Sequence, residues 1–118
     1  MPLHLVEKLA GDVMVLDARG RITLGRETEA LRESVKAILR AGRTRVVLDL
    51  AGVDYIDSAG LGTLVALSTS VRQTGGELKL ANLTARVHDL LQITRLSTIF
   101  EVYDSLEKAR LSFGSASI

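Results

Sequence analysis

The chain of 118 residues contains no cysteine and no tryptophan, and its tyrosines and phenylalanines number two of each. Without cysteine, neither a disulfide framework nor a thiolate metal site is possible. The two imidazoles, His4 and His88, stand far apart in sequence and outside any metal-ligand spacing. Charge of one sign is also missing: 15 Lys and Arg face 14 Asp and Glu, and the signs are interspersed. No strong field therefore draws the chain to nucleic acid or to a membrane surface. No apolar run reaches the length of a membrane span, and Met1 to Glu7 lacks the basic region and long apolar segment of a signal peptide. A soluble, cytoplasmic protein is expected.

What is present is a large apolar fraction, 47% of the residues, rich in Leu, Val, Ile and Ala. At this length a single domain buries roughly two-thirds of its unfolded surface. Leu3 to Leu9 and Val13 to Arg19 read as two strands of a hairpin turning at Ala10-Gly11-Asp12. Gly20 to Gly25 reads as a glycine-bounded loop. From Arg26 the period becomes helical, with Leu31, Val35, Ile38 and Leu39 opposite Arg32, Glu33, Lys36 and Arg40, and Gly42 supplies the stop. Arg45 to Leu50 is continuous enough in hydrophobicity to be a strand covered on both faces.

A second helix carries Leu61, Leu64, Val65, Ser68 and Val71 on one stripe, with Ser58 as the expected N-cap and Gly75-Gly76 as the stop. Glu77 to Leu80 predicts a strand, and Asn82-Leu83-Thr84 a turn and cap. Val87, Leu90 and Leu91 mark a short helix. Ile99 to Tyr103 reads as a last strand, and Ser105 to Leu111 as a last helix capped by Asp104 or Ser105. Residues 112–118 are small and polar enough to fray. Strand–helix alternation after a hairpin predicts one α/β domain. Its core spans about residues 3–111, with a mixed sheet of about four to five strands and about four helices.

The most informative segment is Val53-Asp54-Tyr55-Ile56-Asp57-Ser58-Ala59-Gly60-Leu61-Gly62, between a buried strand and a helix. A helix start exposes unpaired N–H groups and the positive end of the macrodipole, so it tolerates a negative charge. A serine there is either a plain cap or a hydroxyl able to carry a phosphate without unfolding the helix. Asp57 either caps loop amides, or orients Ser58 or holds a metal ion of a partner's nucleotide. Gly60 and Gly62 each cost a helix about 1 kcal/mol relative to Ala. They serve close packing, close approach of another protein, or both.

Enzymatic signatures fail on detail. Ile56 stands where a nucleophile elbow needs glycine, two residues before the serine. The chain has neither a Gly-x-x-x-x-Gly-Lys-Ser/Thr loop nor the third glycine of a dinucleotide loop after Gly60 and Gly62. His88 reads as a surface or cap residue. Arg40, Arg43 and Arg45 read as a solvated helix end, without the interleaved aromatics of a nucleic-acid site. No catalytic residue, metal ligand or cofactor is assigned.

The order of hairpin, Gly-x-Ile loop, helix, buried strand and Asp57-Ser58-Ala59-Gly60-Leu61-Gly62 resembles the bacterial anti-sigma factor antagonists, small single-domain members of the STAS group. The resemblance runs from about Leu3 to about Leu111. It implies a STAS-like domain with its helices mainly on one face of the sheet. It also implies phosphorylation of Ser58 by a partner that is both anti-sigma factor and serine kinase and that itself binds ATP. A serine phosphatase would reverse the modification. The unmodified protein would sequester that partner through Thr23, Leu24, Asp57, Ser58, Ala59, Gly60, Leu61 and Gly62, releasing a sigma factor, as a monomer or weak dimer. One departure stands out: Thr23 occupies the place where many such proteins carry an aspartate after Gly-x-Leu/Ile. The same fold also resembles accessory domains of transporters, an alternative that requires no phosphorylation.

Overall fold

The computed structural model describes residues 3–113. Five strands form one mixed sheet in the order β1-β2-β3-β4-β5, which is also the order of the chain. Strands β1 (His4–Ala10) and β2 (Val13–Ile22) form the antiparallel hairpin, turning at Gly11 with φ +66°. Strands β3 (Arg45–Ile56), β4 (Glu77–Ala81) and β5 (Val102–Tyr103) then add in parallel. Helices α1 (Arg26–Arg40), α2 (Ser58–Gln73) and α3 (Ala85–Ile93) alternate with them, and α4 (Leu106–Leu111) ends the described fold.

Three helices share one face of the sheet. Leu31, Val35 and Ile38 of α1, Leu61, Leu64, Leu67 and Val71 of α2, and Val87 and Leu91 of α3 pack with Leu16, Val46, Leu48, Leu50 and Leu80 of the strands. Burial of one such aliphatic side chain stabilises the fold by roughly 1.5–3 kcal/mol. Among the described residues the other face is covered by α4, whose Ala109 packs with Val13, Val15, Val47 and Ala81. Val46, Val47 and Leu48 are all buried, because consecutive strand residues point to opposite faces and both faces of β3 are covered here.

Several element limits differ from the sequence-based expectation. Strand β2 runs through Gly20-Arg21 to Ile22, where a loop is expected, and β3 runs six residues past Leu50 to Ile56. Each lends the other its hydrogen-bond partners: the pairing passes through Arg19↔Gly52, Gly20↔Val53 and Arg21↔Tyr55 to Ile22↔Ile56. Two register shifts, between Asp17 and Arg19 and between Gly20 and Arg21, place extra residues in β3. Such bulges bend a strand and raise its twist. The Cβ of any other residue at Gly52 would lie 2.6 Å from Cγ of Arg19.

At the far edge the expected strand over Ile99–Tyr103 shrinks to Val102–Tyr103, preceded by a 3-10 turn over Leu96–Thr98. Ser105 caps α4 by accepting the Lys108 amide at 3.1 Å. Ser112 and Phe113, expected to fray, are packed instead. Lys79 on β4 is 3% exposed, and its Nζ donates to Ser112 Oγ at 2.8 Å while lying 4.3 Å from the Phe113 ring centroid. Glu101 and Glu77 neutralise it at 3.3 and 3.6 Å. The rest of the expected frayed tail, residues 114–118, lies outside the described residues.

Candidate functional site

Asp57, and not Ser58, is the N-cap of α2. Its backbone is extended, φ −96° and ψ −178°, and its Oδ1 accepts the Gly60 amide at 2.7 Å. Ser58 is thereby the first helical residue, and it is exposed. Both residue types cap well. The choice falls on Asp57 because it is the residue that leaves β3 with extended backbone, directly after the Ile22↔Ile56 pair.

The second carboxylate oxygen of Asp57 reaches another element. Its Oδ2 accepts the Leu24 amide at 3.0 Å, across a separation of 33 residues, while the Asp57 amide donates to the Ile22 carbonyl at 3.3 Å. One carboxylate thus pins the β2–α1 loop to the start of α2. The Leu24 amide, followed by the Gly60 amide, holds the Asp57 carboxyl below its ordinary value. Hydrogen bonds to the charged form favour that form. The expected cap role of Asp57 is therefore present. Its carboxylate is engaged by two backbone amides.

The residues expected at the site divide into a surface and a support. Leu24 is 76% exposed, Ser58 and Gly62 are exposed as well, and Thr23, Asp57 and Ala59 are half-buried. Gly60 and Leu61 are buried. A Cβ on Gly60 would lie 2.2 Å from the Ile22 carbonyl oxygen, whereas one on Gly62 would meet nothing within 4 Å. The two glycines, equivalent in the sequence, have different reasons: Gly60 permits close packing, and Gly62 leaves backbone open to solvent. The Thr23 hydroxyl donates to Glu27 Oε1 at 3.2 Å, within the first turn of α1. This contact places the Glu27 carboxylate beside Thr23, so the loop carries an acid from α1 where many relatives of this kind carry one of their own.

Sequence reasoning missed the neighbour of this surface. A cleft of about 800 Å3 opens between the start of α2 and the length of α3, lined by Ser58, Asp57, Leu61 and Tyr55 on one side. Arg86, Asp89, Leu90, Ile93 and Thr94 line the other. Arg86 and Tyr55 also line an adjoining hollow of about 390 Å3 with Arg21, whose guanidinium lies 5.7 Å from the Tyr55 ring centroid. A signal did exist in α3. Val87 and Leu91 form its core stripe, and Arg86, Leu90 and Ile93 follow at i, i+4 and i+7 as a second stripe, in which Leu90 is half-buried against the core while Arg86 and Ile93 are exposed. Ile93 is 79% exposed.

His88 is exposed on α3, beside Asp89 at 3.6 Å. Arg45, expected at a solvated helix end, pairs with Asp12 at 2.8 Å on the hairpin turn. Among the described residues no group of three or more His, Cys, Asp or Glu could hold a metal ion, and no helix is long and apolar enough to cross a membrane.

Comparison with known proteins places this geometry in a family. Residues 6–109 match the STAS domain. BtrV of Bordetella bronchiseptica, named as an anti-sigma factor antagonist, is 34% identical over 105 residues, 89% of this chain and 90% of that one. The crystal structure of tm1081 from Thermotoga maritima, described under the same role, superposes with a TM-score of 0.84 over 92% of each chain at 26% identity. The antagonist SpoIIAA shares the fold in both its unphosphorylated form (TM-score 0.70, 14% identity, 93% of this chain and 96% of that one) and its phosphorylated form (0.72, 15%, 93% and 99%). From the match over most of its length, and from its 34% identity with BtrV, the chain belongs to the STAS domain family, among the anti-sigma factor antagonists.

Proposed function

We propose that this protein is a phosphorylation-controlled binding module that captures an anti-sigma factor and so releases a sigma factor for transcription. One observation carries the reading: Ser58 is exposed at the first position of α2 while the neighbouring Asp57 does the capping. The hydroxyl is consequently spare, and modifying it removes no bond that the helix start depends on. The relatives named as anti-sigma factor antagonists, and the existence of SpoIIAA in two phosphorylation states, support the same reading.

The binding surface would be Leu24, Ser58, Ala59 and Gly62, with Thr23 and Asp57 setting its shape, Gly60 beneath it and Leu61 at the wall of the cleft. Unmodified, this surface is apolar and small, suited to close contact. A phosphate at Ser58 brings about −1.5 to −2 charges at neutral pH. The helix dipole favours them, so the fold is retained. An interface closed over that dianion without a cation opposite is strongly destabilised. The role is binding rather than catalysis. ATP and the kinase activity belong to the partner, a serine phosphatase resets the switch, and the setting is the bacterial cytoplasm.

Incubation with the cognate anti-sigma factor kinase and ATP, followed by intact mass, tests the reading. One added phosphate is expected on the natural sequence and none on Ser58→Ala. A phosphate that persists in Ser58→Ala removes the site assignment. A natural chain that binds the anti-sigma factor yet is never modified leaves a scaffold of the STAS type in place of a switch.

A further inference from the structure

We propose that Arg86 is the resident partner of the phosphate carried by Ser58, so that modification of the serine is read by a side chain of α3. The inference rests on the phosphorylation reading given above and adds to it the residue that receives the charge.

Ser58 and Arg86 line opposite walls of one cleft, the former at the start of α2 and the latter in the first turn of α3. Arg86 supplies the single cation among the described residues lining that cleft; the acids there are Asp57 and Asp89. Asp57 is already engaged by the Leu24 and Gly60 amides. Asp89 lies 3.6 Å from His88 Nδ1. Among the described residues Arg86 enters no salt bridge, although Asp89 follows it by three positions on the same helix. Arg86 also lines the adjoining hollow with Asp54, but forms no salt bridge to it. A guanidinium left without a salt bridge in a cleft shared with a modifiable hydroxyl matches phosphate chemistry, because its planar fork binds phosphate oxygens in pairs. Arg21, the other cation nearby, is stacked on Tyr55 and lines the adjoining hollow rather than the serine's cleft.

The geometry gives modification a second effect. A guanidinium drawn to the phosphate occupies part of the cleft that Leu61 and Leu90 also line. The surface offered to a partner then changes in shape as well as in charge.

The test uses the full chain with phosphoserine installed at position 58 during synthesis, so that no kinase is needed. The second ionisation of the phosphate is followed by 31P NMR between about pH 4 and 9, around its ordinary value of about 6. An opposite charge within hydrogen-bonding reach lowers that value, so Arg86→Gln is expected to raise it by at least about 0.5 unit, and Arg86→Lys by less. Arg21→Gln is expected to move it by less than half as much as Arg86→Gln. Arg86 is exposed, and an amide correlation spectrum of each variant verifies the fold. An unchanged titration in Arg86→Gln overturns the proposal, as does an equal shift in Arg21→Gln, which would mark a diffuse field. Because the phosphate is installed, failure here leaves the switch reading intact, and failure of the kinase assay leaves this result standing.

Discussion

The carbonyl oxygen of Ile22 fills the space that a side chain at Gly60 would need, 2.2 Å from the position of a Cβ there. The end of β2 and the first turn of α2 therefore meet backbone to backbone, with the Asp57 amide donating to the same Ile22 carbonyl. Gly60→Ala must push α2 off the sheet or bend β2. Overpacking of this kind costs about 1–3 kcal/mol, a loss that urea denaturation measures. Gly62→Ala is the control. Its Cβ meets nothing, so stability is expected to rise by up to about 1 kcal/mol from helix propensity. Weaker capture of the anti-sigma factor by Gly62→Ala would identify it as a point of close approach.

Removing the cap separates the two roles of Asp57. Asp57→Ala is expected to cost about 0.5–2 kcal/mol as a lost N-cap. It also frees the Leu24 amide, so hydrogen exchange at Leu24 should accelerate more than exchange in the middle of α1. An intact rate at Leu24 would show that the loop holds itself.

Acid sensitivity follows from the same carboxylate. Its folded value lies below the unfolded one, because the Leu24 and Gly60 amides favour the charged form. The resulting stability is fully present above the unfolded value, about 3.9, and is lost as pH falls through the lowered folded value. Denaturation midpoints measured between about pH 2 and 6 should fall more steeply below about pH 4 in the natural chain than in Asp57→Asn. Parallel profiles would remove Asp57 from the acid response.

At Ser58 the expected stability effect is small. Because Asp57 makes the cap, Ser58→Ala should stay within about 0.5 kcal/mol of the natural chain, as for other exposed positions. It should bind the partner and behave as permanently active in cells. Ser58→Glu should fold, since the helix start favours its charge, and should bind at least about tenfold more weakly, about 1.4 kcal/mol. Calorimetric titration of both variants decides. Equal affinity in the two would reduce Ser58 to an ordinary surface residue.

Lys79 offers a prediction remote from the switch. Its ammonium is neutralised by the exposed carboxylates of Glu77 and Glu101 and lies 4.3 Å from the Phe113 ring centroid, and the residue as a whole is buried. Replacing a buried charged group by an apolar one of similar size is often close to neutral, so Lys79→Met should fold with stability within about 1 kcal/mol. Lys79→Ala leaves a cavity and should cost about 2 kcal/mol or more, in the range of large-to-small core changes. Equal losses in the two variants would assign the stabilisation to charge rather than to packing.

The sequence by itself determined whatever depends on local period and local chemistry. The helical spacing of Leu31, Val35 and Ile38 specified α1, the unbroken Val46-Val47-Leu48 run specified a strand buried on both faces, and Gly11 and Gly42 marked a turn and a stop. Asp57-Ser58-Ala59-Gly60-Leu61-Gly62 pointed to the family and to a candidate site. Tertiary structure decided the rest. Gly20-Arg21-Ile22 became strand because β3 continues beside it to Ile56, a pairing of segments more than thirty residues apart that leaves no local trace. Asp57 became the cap because that pairing ends on the residue before it. The cleft next to Ser58 exists because α3 shares a face of the sheet with α2, bringing Arg86 and Ile93 to a serine about thirty residues earlier. Hydrophobic period reports that a face is buried. Which neighbour meets an unburied residue such as Arg86 depends on the whole packing, and no local pattern encodes it.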